Sequence, residues 1–184
     1  MAGAVGSMGA APRAVGSDLM SPLRFLRHLF SARWTTRRRF TPKVLADIEA
    51  AIRDTEALHQ GEIRFVVETA LDLVELVQDV EPRRRAMQVF GQLGVWDTAL
   101  NNGVLIYLLL ADHMVEIVAD RGIAARIGQP EWDAVCREME RHYGEGRFGE
   151  GSVAGVRGVG RLLAKHFPGR RGGADELPNQ PVLL

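Results

Sequence analysis

A polar loop at residues 96–103 is the part of the sequence best suited to chemistry. It contains Asp97 and Asn102 and ends in a glycine, and Asp120 and Arg121 follow an apolar run further along the chain. Carboxylate and amide oxygens are the ligands that Ca²⁺ and Mg²⁺ prefer, and an arginine beside them can hold a phosphate or carboxylate oxygen. The same residue types are also ordinary turn formers, whose side chains satisfy main-chain donors. The sequence therefore leaves a divalent-cation site and a purely structural turn both open.

Three apolar runs predict the strands that would carry this loop. Residues 63–68 are rich in β-branched and aromatic side chains, and residues 104–110 are almost continuously apolar, as in a strand buried on both faces. A short polar link at Asp112 and His113 separates the second run from residues 115–118, which indicates a β-hairpin.

Helical spacing of apolar residues predicts the elements that cover these strands. Thr41 and Pro42 open one helix, with Gly61 as its expected stop, and Pro130 opens another. Further helices are predicted over residues 83–93 and 150–166. The fold class is therefore α/β, with a small mixed sheet, made of the hairpin and a parallel strand, sandwiched between helices as α/β/α.

This strand order places the polar residues at one edge of the sheet. If the strand after Glu62 runs parallel to the strand after Asn102, both begin at the same edge, and the hairpin returns the chain there. We therefore expect Glu62, the 96–103 loop and the Asp120–Gly122 segment to converge. Glu62, Asp97, Asn102 and Asp120 are the candidate metal ligands and Arg121 the candidate anion-binding residue.

Charge is distributed unevenly along a chain that is neutral overall. Through Lys43 the sequence has eight basic residues and one acidic residue, so this part carries +7 and the remainder −7. Such asymmetry suggests a basic arm that meets an anionic surface or its own acidic domain. Nucleic acid is not an expected partner, because the domain itself is acidic.

The arm at residues 21–39 has the pattern of a basic amphipathic helix. Its aromatic and basic residues suit either docking on its own domain or contact with a membrane surface or membrane protein. The candidate contact residues are Arg24, Phe25, Arg27, Phe30, Arg33 and Trp34.

Composition sets the remaining expectations. Residues 1–20 predict a disordered start, residues 40–168 a single domain, and residues 169–184 a flexible tail. The single cysteine, Cys136, excludes an intrachain disulfide. No signal peptide or membrane-spanning run is recognisable, so we expect a cytoplasmic protein, peripheral at the membrane if it binds one. Spacing typical of EF-hands, P-loops, zinc sites and serine hydrolases is missing from the sequence.

Several motifs together resemble the TPM domain. They are Phe40-Thr41-Pro42, Gly61-Glu62-Ile63, Asn102-Gly103-Val104-Leu105-Ile106-Tyr107, the stretch from Val115 to Gly122, and Gly151. The likeness covers about residues 40–167, and the ending from Glu176 to Leu183 resembles a short bacterial subgroup. The sequence has Asn101 where the family often has an acidic residue.

The resemblance implies an α/β/α sandwich with a divalent-metal or phosphate site at the strand edge. Asp97, Asn102, Asp120 and Arg121 fall on the family's polar motif positions, and Glu62 lies close to them. One implied function is a non-catalytic module that binds a metal, Ca²⁺ or Mg²⁺, or a partner in the maintenance of membrane proteins or the envelope. The alternative is a metal-dependent, phosphatase-like hydrolase, whose small-molecule substrate the sequence does not identify.

Overall fold

The computed structural model describes Leu26, His28 and residues 33–169 and 175–184, with the side chains of residues 33 and 34 outside that description. Four strands and seven helices can be delimited in these ranges. The strands are β1 (Glu62–Glu68), β2 (Gly103–Leu109), β3 (Met114–Ala119) and β4 (Val182–Leu183). The helices are α1 (Arg33–Arg39), α2 (Pro42–Glu56), α3 (Leu73–Val77), α4 (Pro82–Gln92), α5 (Arg121–Ala124), α6 (Gln129–Gly144) and α7 (Phe148–His166).

The sheet has the strand order β3-β2-β1-β4. Strand β1 is parallel to β2, and β2 is antiparallel to β3, so the predicted mixed sheet is confirmed. Strand β4, which the sequence analysis did not predict, adds a short parallel pairing on the free side of β1.

Successive side chains of β1 and β2 alternate between two separate hydrophobic cores, one on each face of the sheet. Ile63, Phe65 and Val67 point to a layer formed by α2, α6 and α7, and Val66 points to the layer that contains α4. Because helices cover both faces, the strands are apolar on both sides, which explains the continuous run in β2. The α/β/α sandwich is thus the arrangement observed.

The predicted helices are present, with one boundary moved. Helix α2 starts as expected, because the Thr41 hydroxyl accepts a hydrogen bond from the Val44 N–H and proline follows the cap. It ends at Glu56 rather than near Gly61, and the Glu56 carboxylate accepts a hydrogen bond from the Ile63 N–H at 2.8 Å. This contact ties the helix end to the start of β1.

Both ends of the described chain make specific contacts with the domain. The 175–184 segment, for which composition predicts a flexible tail, contributes β4 and the buried side chain of Leu177. In the described part of the N-terminal arm, His28 is buried and its Nδ1 accepts a hydrogen bond from the Leu71 N–H at 3.0 Å. Among the described helices, none is long and apolar enough to cross a membrane.

Candidate strand-edge site

The three polar segments do meet at the edge where β1 and β2 begin. The Glu62 N–H donates to the main-chain oxygen of Asn102 at 3.0 Å, and the Asp120 N–H donates to that of Gly103 at 2.8 Å. These bonds follow from the registers of the parallel and antiparallel pairs. The convergence expected from strand order is therefore present in the structure.

The loop before β2 is held by its own side chains and by tight packing. The Thr98 hydroxyl accepts a hydrogen bond from the Asn102 N–H at 3.0 Å, and Asn101 adopts a left-handed conformation with φ of 51°. A Cβ placed on Gly103 would lie 1.9 Å from the main-chain oxygen of Val95. Only glycine therefore allows the loop to pass this close to the start of β2.

Asn102 presents a buried oxygen that lacks a protein partner. Its Nδ2 donates to the main-chain oxygen of Gln60, which fixes the orientation of the amide group. Its Oδ1 is buried and makes no hydrogen bond. Because an unsatisfied buried acceptor is destabilising, this oxygen is the first indication of a bound group at the edge.

Asp120 presents a second oxygen of the same kind. It caps the short helix α5, and its Oδ1 accepts a hydrogen bond from the Arg121 N–H at 2.7 Å. Its Oδ2 is buried and makes no hydrogen bond. The edge thus carries one amide oxygen and one carboxylate oxygen that are both desolvated and unbonded.

Glu62 reaches the edge but its carboxylate is engaged elsewhere. The side chain is fully buried, with Oε2 accepting from the Leu177 N–H at 3.1 Å and Oε1 from the Glu176 N–H at 3.4 Å. The structure therefore gives this predicted ligand a second role, which is to hold the 175–184 segment. Sequence reasoning missed that role, because the Glu-Leu-Pro and the apolar residues after it indicate a packed segment but not its contact with Glu62.

The remaining candidates lie on the solvent side of the edge. Asp97 is exposed, and so is Arg121, whose Nε donates to Asn101 Oδ1 at 2.9 Å. The terminal nitrogens of the Arg121 guanidinium make no hydrogen bond or ion pair with a described residue and could hold an anion. Glu176 also contacts the loop, because its Oε2 accepts from the Ala99 N–H at 3.0 Å.

The donor set is compatible with a weakly held divalent cation. Within residues 33–169 and 175–184, with Leu26 and His28, no group of three or more His, Cys, Asp and Glu side chains is arranged to hold a metal. Asn102 and Asp120 supply oxygens of the type that Ca²⁺ and Mg²⁺ take, and water would complete the coordination. One carboxylate charge close by predicts low affinity.

The opposite end of β1 carries a polar network that is already satisfied. Glu68 accepts hydrogen bonds from the Tyr107 hydroxyl and from Arg85, whose Nη2 lies 2.7 Å from Oε1. Arg85 also pairs with Glu75 at 2.9 Å. Burial raises the pKa of Tyr107, and the hydrogen bond to Glu68 raises the pKa of Arg85. Tyrosine and arginine therefore keep their protons, and the network ties β1 and β2 to α4.

The predicted arm residues cannot be placed in this geometry. Arg24, Phe25, Arg27 and Phe30 lie outside the described residues. Arg33 and Trp34 begin α1, and their side chains are also outside the description.

Comparison with known proteins supports one family. The sequence is 34% identical to the BA42 protein from the psychrophilic bacterium Bizionia argentinensis, and the match covers 78% of this chain and 94% of that one with a TM-score of 0.69. The N-terminal domain of a protein from P. gingivalis shares the fold, at 20% identity and a TM-score of 0.52 over 66% of this chain and 76% of that one. No curated protein matches the sequence. The family model of the TPM domain matches residues 37–162, and the chain belongs to the TPM domain family.

Proposed function

We propose that this chain is a non-catalytic TPM module that binds a divalent cation, Ca²⁺ or Mg²⁺, at the strand edge. The observation that carries the proposal is the pair of buried oxygens, Asn102 Oδ1 and Asp120 Oδ2, that make no hydrogen bond. An acceptor left in this condition costs about 1–3 kcal/mol. A cation coordinated by both oxygens would remove that cost.

Affinity is expected to be low. Asp120 supplies one carboxylate, Asn102 supplies a neutral amide, and the exposed Asp97 is the remaining candidate ligand on the loop. Calcium sites with few charged ligands have dissociation constants of about 10⁻⁴–10⁻³ M. Binding in this range would respond only to cation concentrations of about 0.1–1 mM or more.

A binding role is favoured over catalysis because the two buried carboxylates at the edge, Glu62 and Asp120, already accept hydrogen bonds. Both oxygens of Glu62 accept main-chain N–H groups, and Asp120 Oδ1 accepts the Arg121 N–H. A general base needs a carboxylate oxygen within reach of the proton it removes. The remaining oxygen, Asp120 Oδ2, is buried and suits a fixed ligand better than a proton acceptor.

Cation binding can be tested by NMR titration of the full chain with CaCl₂ and MgCl₂. We expect saturable shifts of the main-chain amides in residues 101–103 and 120–122, and an affinity loss of about tenfold or more in Asp120→Asn. Asp47→Asn is the matched control, because Asp47 is exposed on α2 and pairs with Lys43 at 2.6 Å. Absence of saturable shifts up to about 10 mM cation would refute the proposal.

A phosphatase-like activity is the second candidate, and the exposed guanidinium of Arg121 favours it. With Nε on Asn101 Oδ1, this group is positioned at the edge to hold a phosphoryl oxygen. Turnover of p-nitrophenyl phosphate with Ca²⁺ or Mg²⁺ tests it, with Asp120→Ala and Arg121→Gln as variants. Metal-dependent turnover lost in both variants would replace the non-catalytic assignment, and absence of turnover with either metal would remove this candidate.

We further propose that the basic arm directs the module to a membrane surface or membrane protein in envelope or membrane-protein maintenance. Its charge and the half-exposed side chain of Leu26 support this role. The double variant Arg24→Glu/Arg27→Glu should abolish pelleting with phosphatidylglycerol vesicles. Pelleting that is absent in the wild-type chain, or unchanged in the variant, would exclude a lipid target for the arm.

A further inference from the structure

A groove between α2 and α7 forms a cavity of about 940 Å³ that is separate from the strand-edge site. Val44, Ala51 and Val153 contribute apolar lining, and arginines lie around them. Small-molecule pockets commonly have this size and this combination of an apolar surface with a few polar groups. The groove is therefore large enough for a ligand of its own.

Small residues keep the groove open. A Cβ on Gly149 would lie 3.1 Å from Val44 Cγ2, so α7 begins in close contact with the first turns of α2. Ala50, Ala51 and Ala154 line the same space with short side chains. The volume is thus a consequence of residue choice on both helices.

Three of the charged residues in the lining are already paired. Asp47 pairs with Lys43 at 2.6 Å, and Arg147 pairs with Glu150 at 3.0 Å and with Glu145. These groups therefore contribute little net attraction for a ligand.

Arg39 and Arg157 differ from these paired residues. Neither forms an ion pair with a described residue, although both line the groove. The Arg39 guanidinium lies over the Phe148 ring, 4.3 Å from its centroid, which fixes its position. Burial lowers the pKa of Arg39. The exposed carboxylate of Asp54 also lines the groove.

We propose that this groove binds a small organic phosphate or phosphonate. Its charged oxygens contact the guanidinium groups of Arg39 and Arg157, and its short apolar substituent lies against Val44, Ala51 and Val153. Guanidinium groups recognise such oxygens through charge-assisted hydrogen bonds. The negative charge of Asp54 repels ligands whose own negative charge extends along α2.

The test is an NMR titration of the full chain with phenylphosphonate, and with benzyl alcohol as the neutral control. We expect saturable shifts of the main-chain amides of Gly149, Glu150 and Val153 with phenylphosphonate only. Arg157→Gln should weaken binding about tenfold, because one charge-assisted contact is lost. Arg161→Gln, one turn further along the exposed face of α7 and outside the groove lining, should leave the affinity unchanged.

Arg39→Gln should weaken binding to a similar extent. Because Arg39 stacks on Phe148, the dispersion of the amide spectrum is used to check that this variant folds. The Arg157 side chain forms no hydrogen bond or ion pair with a described residue, so its variant keeps the test valid even if Arg39→Gln unfolds. Equal shifts with benzyl alcohol, no saturation, or an unchanged affinity in Arg157→Gln would overturn the proposal.

Discussion

The Glu62 carboxylate lies fully buried at the start of β1 and accepts the Leu177 N–H at 3.1 Å, across more than half the length of the chain. On the same strand, Arg64 donates to the main-chain oxygens of Pro178 and Gln180. Two charged side chains of β1 therefore bind the backbone of the 175–184 segment, and Leu177 packs into the core beneath it. This segment protects the edge of β1 that would otherwise be open to pairing with another chain.

Glu62→Gln should destabilise the fold by about 1–3 kcal/mol, because an amide replaces a buried carboxylate that accepts two main-chain N–H groups. Urea unfolding monitored by circular dichroism measures the change. Glu49→Gln on α2 is the control, since Glu49 is partly exposed and its pairing with Arg53 is long at 3.9 Å. Equal unfolding midpoints for Glu62→Gln and wild type would show that the 175–184 segment contributes little to stability.

Glu176 connects the same segment to the strand-edge loop through the Ala99 N–H. Glu176→Ala should accelerate hydrogen exchange of the Ala99 amide about tenfold, because its acceptor is removed. Asp175→Ala is the neighbouring control, since Asp175 accepts from Asn179 Nδ2 at 3.0 Å within its own segment. If the proposed cation orders this loop, cation binding should in turn slow exchange of the Leu177 amide. An unchanged rate at Ala99 would show that the loop keeps its conformation without Glu176.

Gly103→Ala should prevent correct assembly of the strand edge. The new Cβ would meet the main-chain oxygen of Val95 at 1.9 Å, and a main-chain atom cannot move aside as a flexible side chain can. Gly91→Ala is the matched control, because the same substitution in α4 meets no atom within 4 Å and should add about 0.5–1 kcal/mol of stability. Thermal unfolding of both variants measures the contrast. A Gly103→Ala protein as stable as wild type would mean that the loop can take another path.

The sequence was sufficient for strands β1, β2 and β3 and for the convergence of their polar loops. A continuous apolar run identifies β2, β-branched and aromatic residues identify β1, and chain order then fixes which ends share an edge. The role of Glu62 was not predictable in this way, since it depends on a contact with Leu177 that no local pattern encodes. Strand β4 has only two residues, and its pairing depends on side chains of β1.

The unbonded oxygens of the candidate site were likewise beyond sequence reasoning. Asp120 and Asn102 were recognisable as polar residues at turns, and turn chemistry alone predicts that their side chains are satisfied by main-chain donors. The structure shows that Asp120 accepts a main-chain N–H with one oxygen, that Asn102 donates through Nδ2 to a main-chain oxygen, and that each side chain leaves one oxygen unbonded. Only the three-dimensional arrangement distinguishes a turn residue whose polar atoms are all satisfied from one that leaves an oxygen unbonded.

The contacts of His28 allow an experimental test of whether the N-terminal arm is docked on its own domain. Its Nδ1 accepts the Leu71 N–H at 3.0 Å, and its Nε2 lies 3.1 Å from Asp112 Oδ2, so a single side chain joins the arm to the end of β1 and to the hairpin turn. His28→Ala should accelerate hydrogen exchange of the Leu71 amide about tenfold, because that amide loses its acceptor. His166→Ala is the control, since its ring lies 3.4 Å from Glu131 on α6, whereas the Leu71 amide is bonded to His28. Equal exchange rates at Leu71 in wild type and His28→Ala would mean that the arm leaves this surface in solution. The arm would then be free to contact a membrane without first detaching from its own domain.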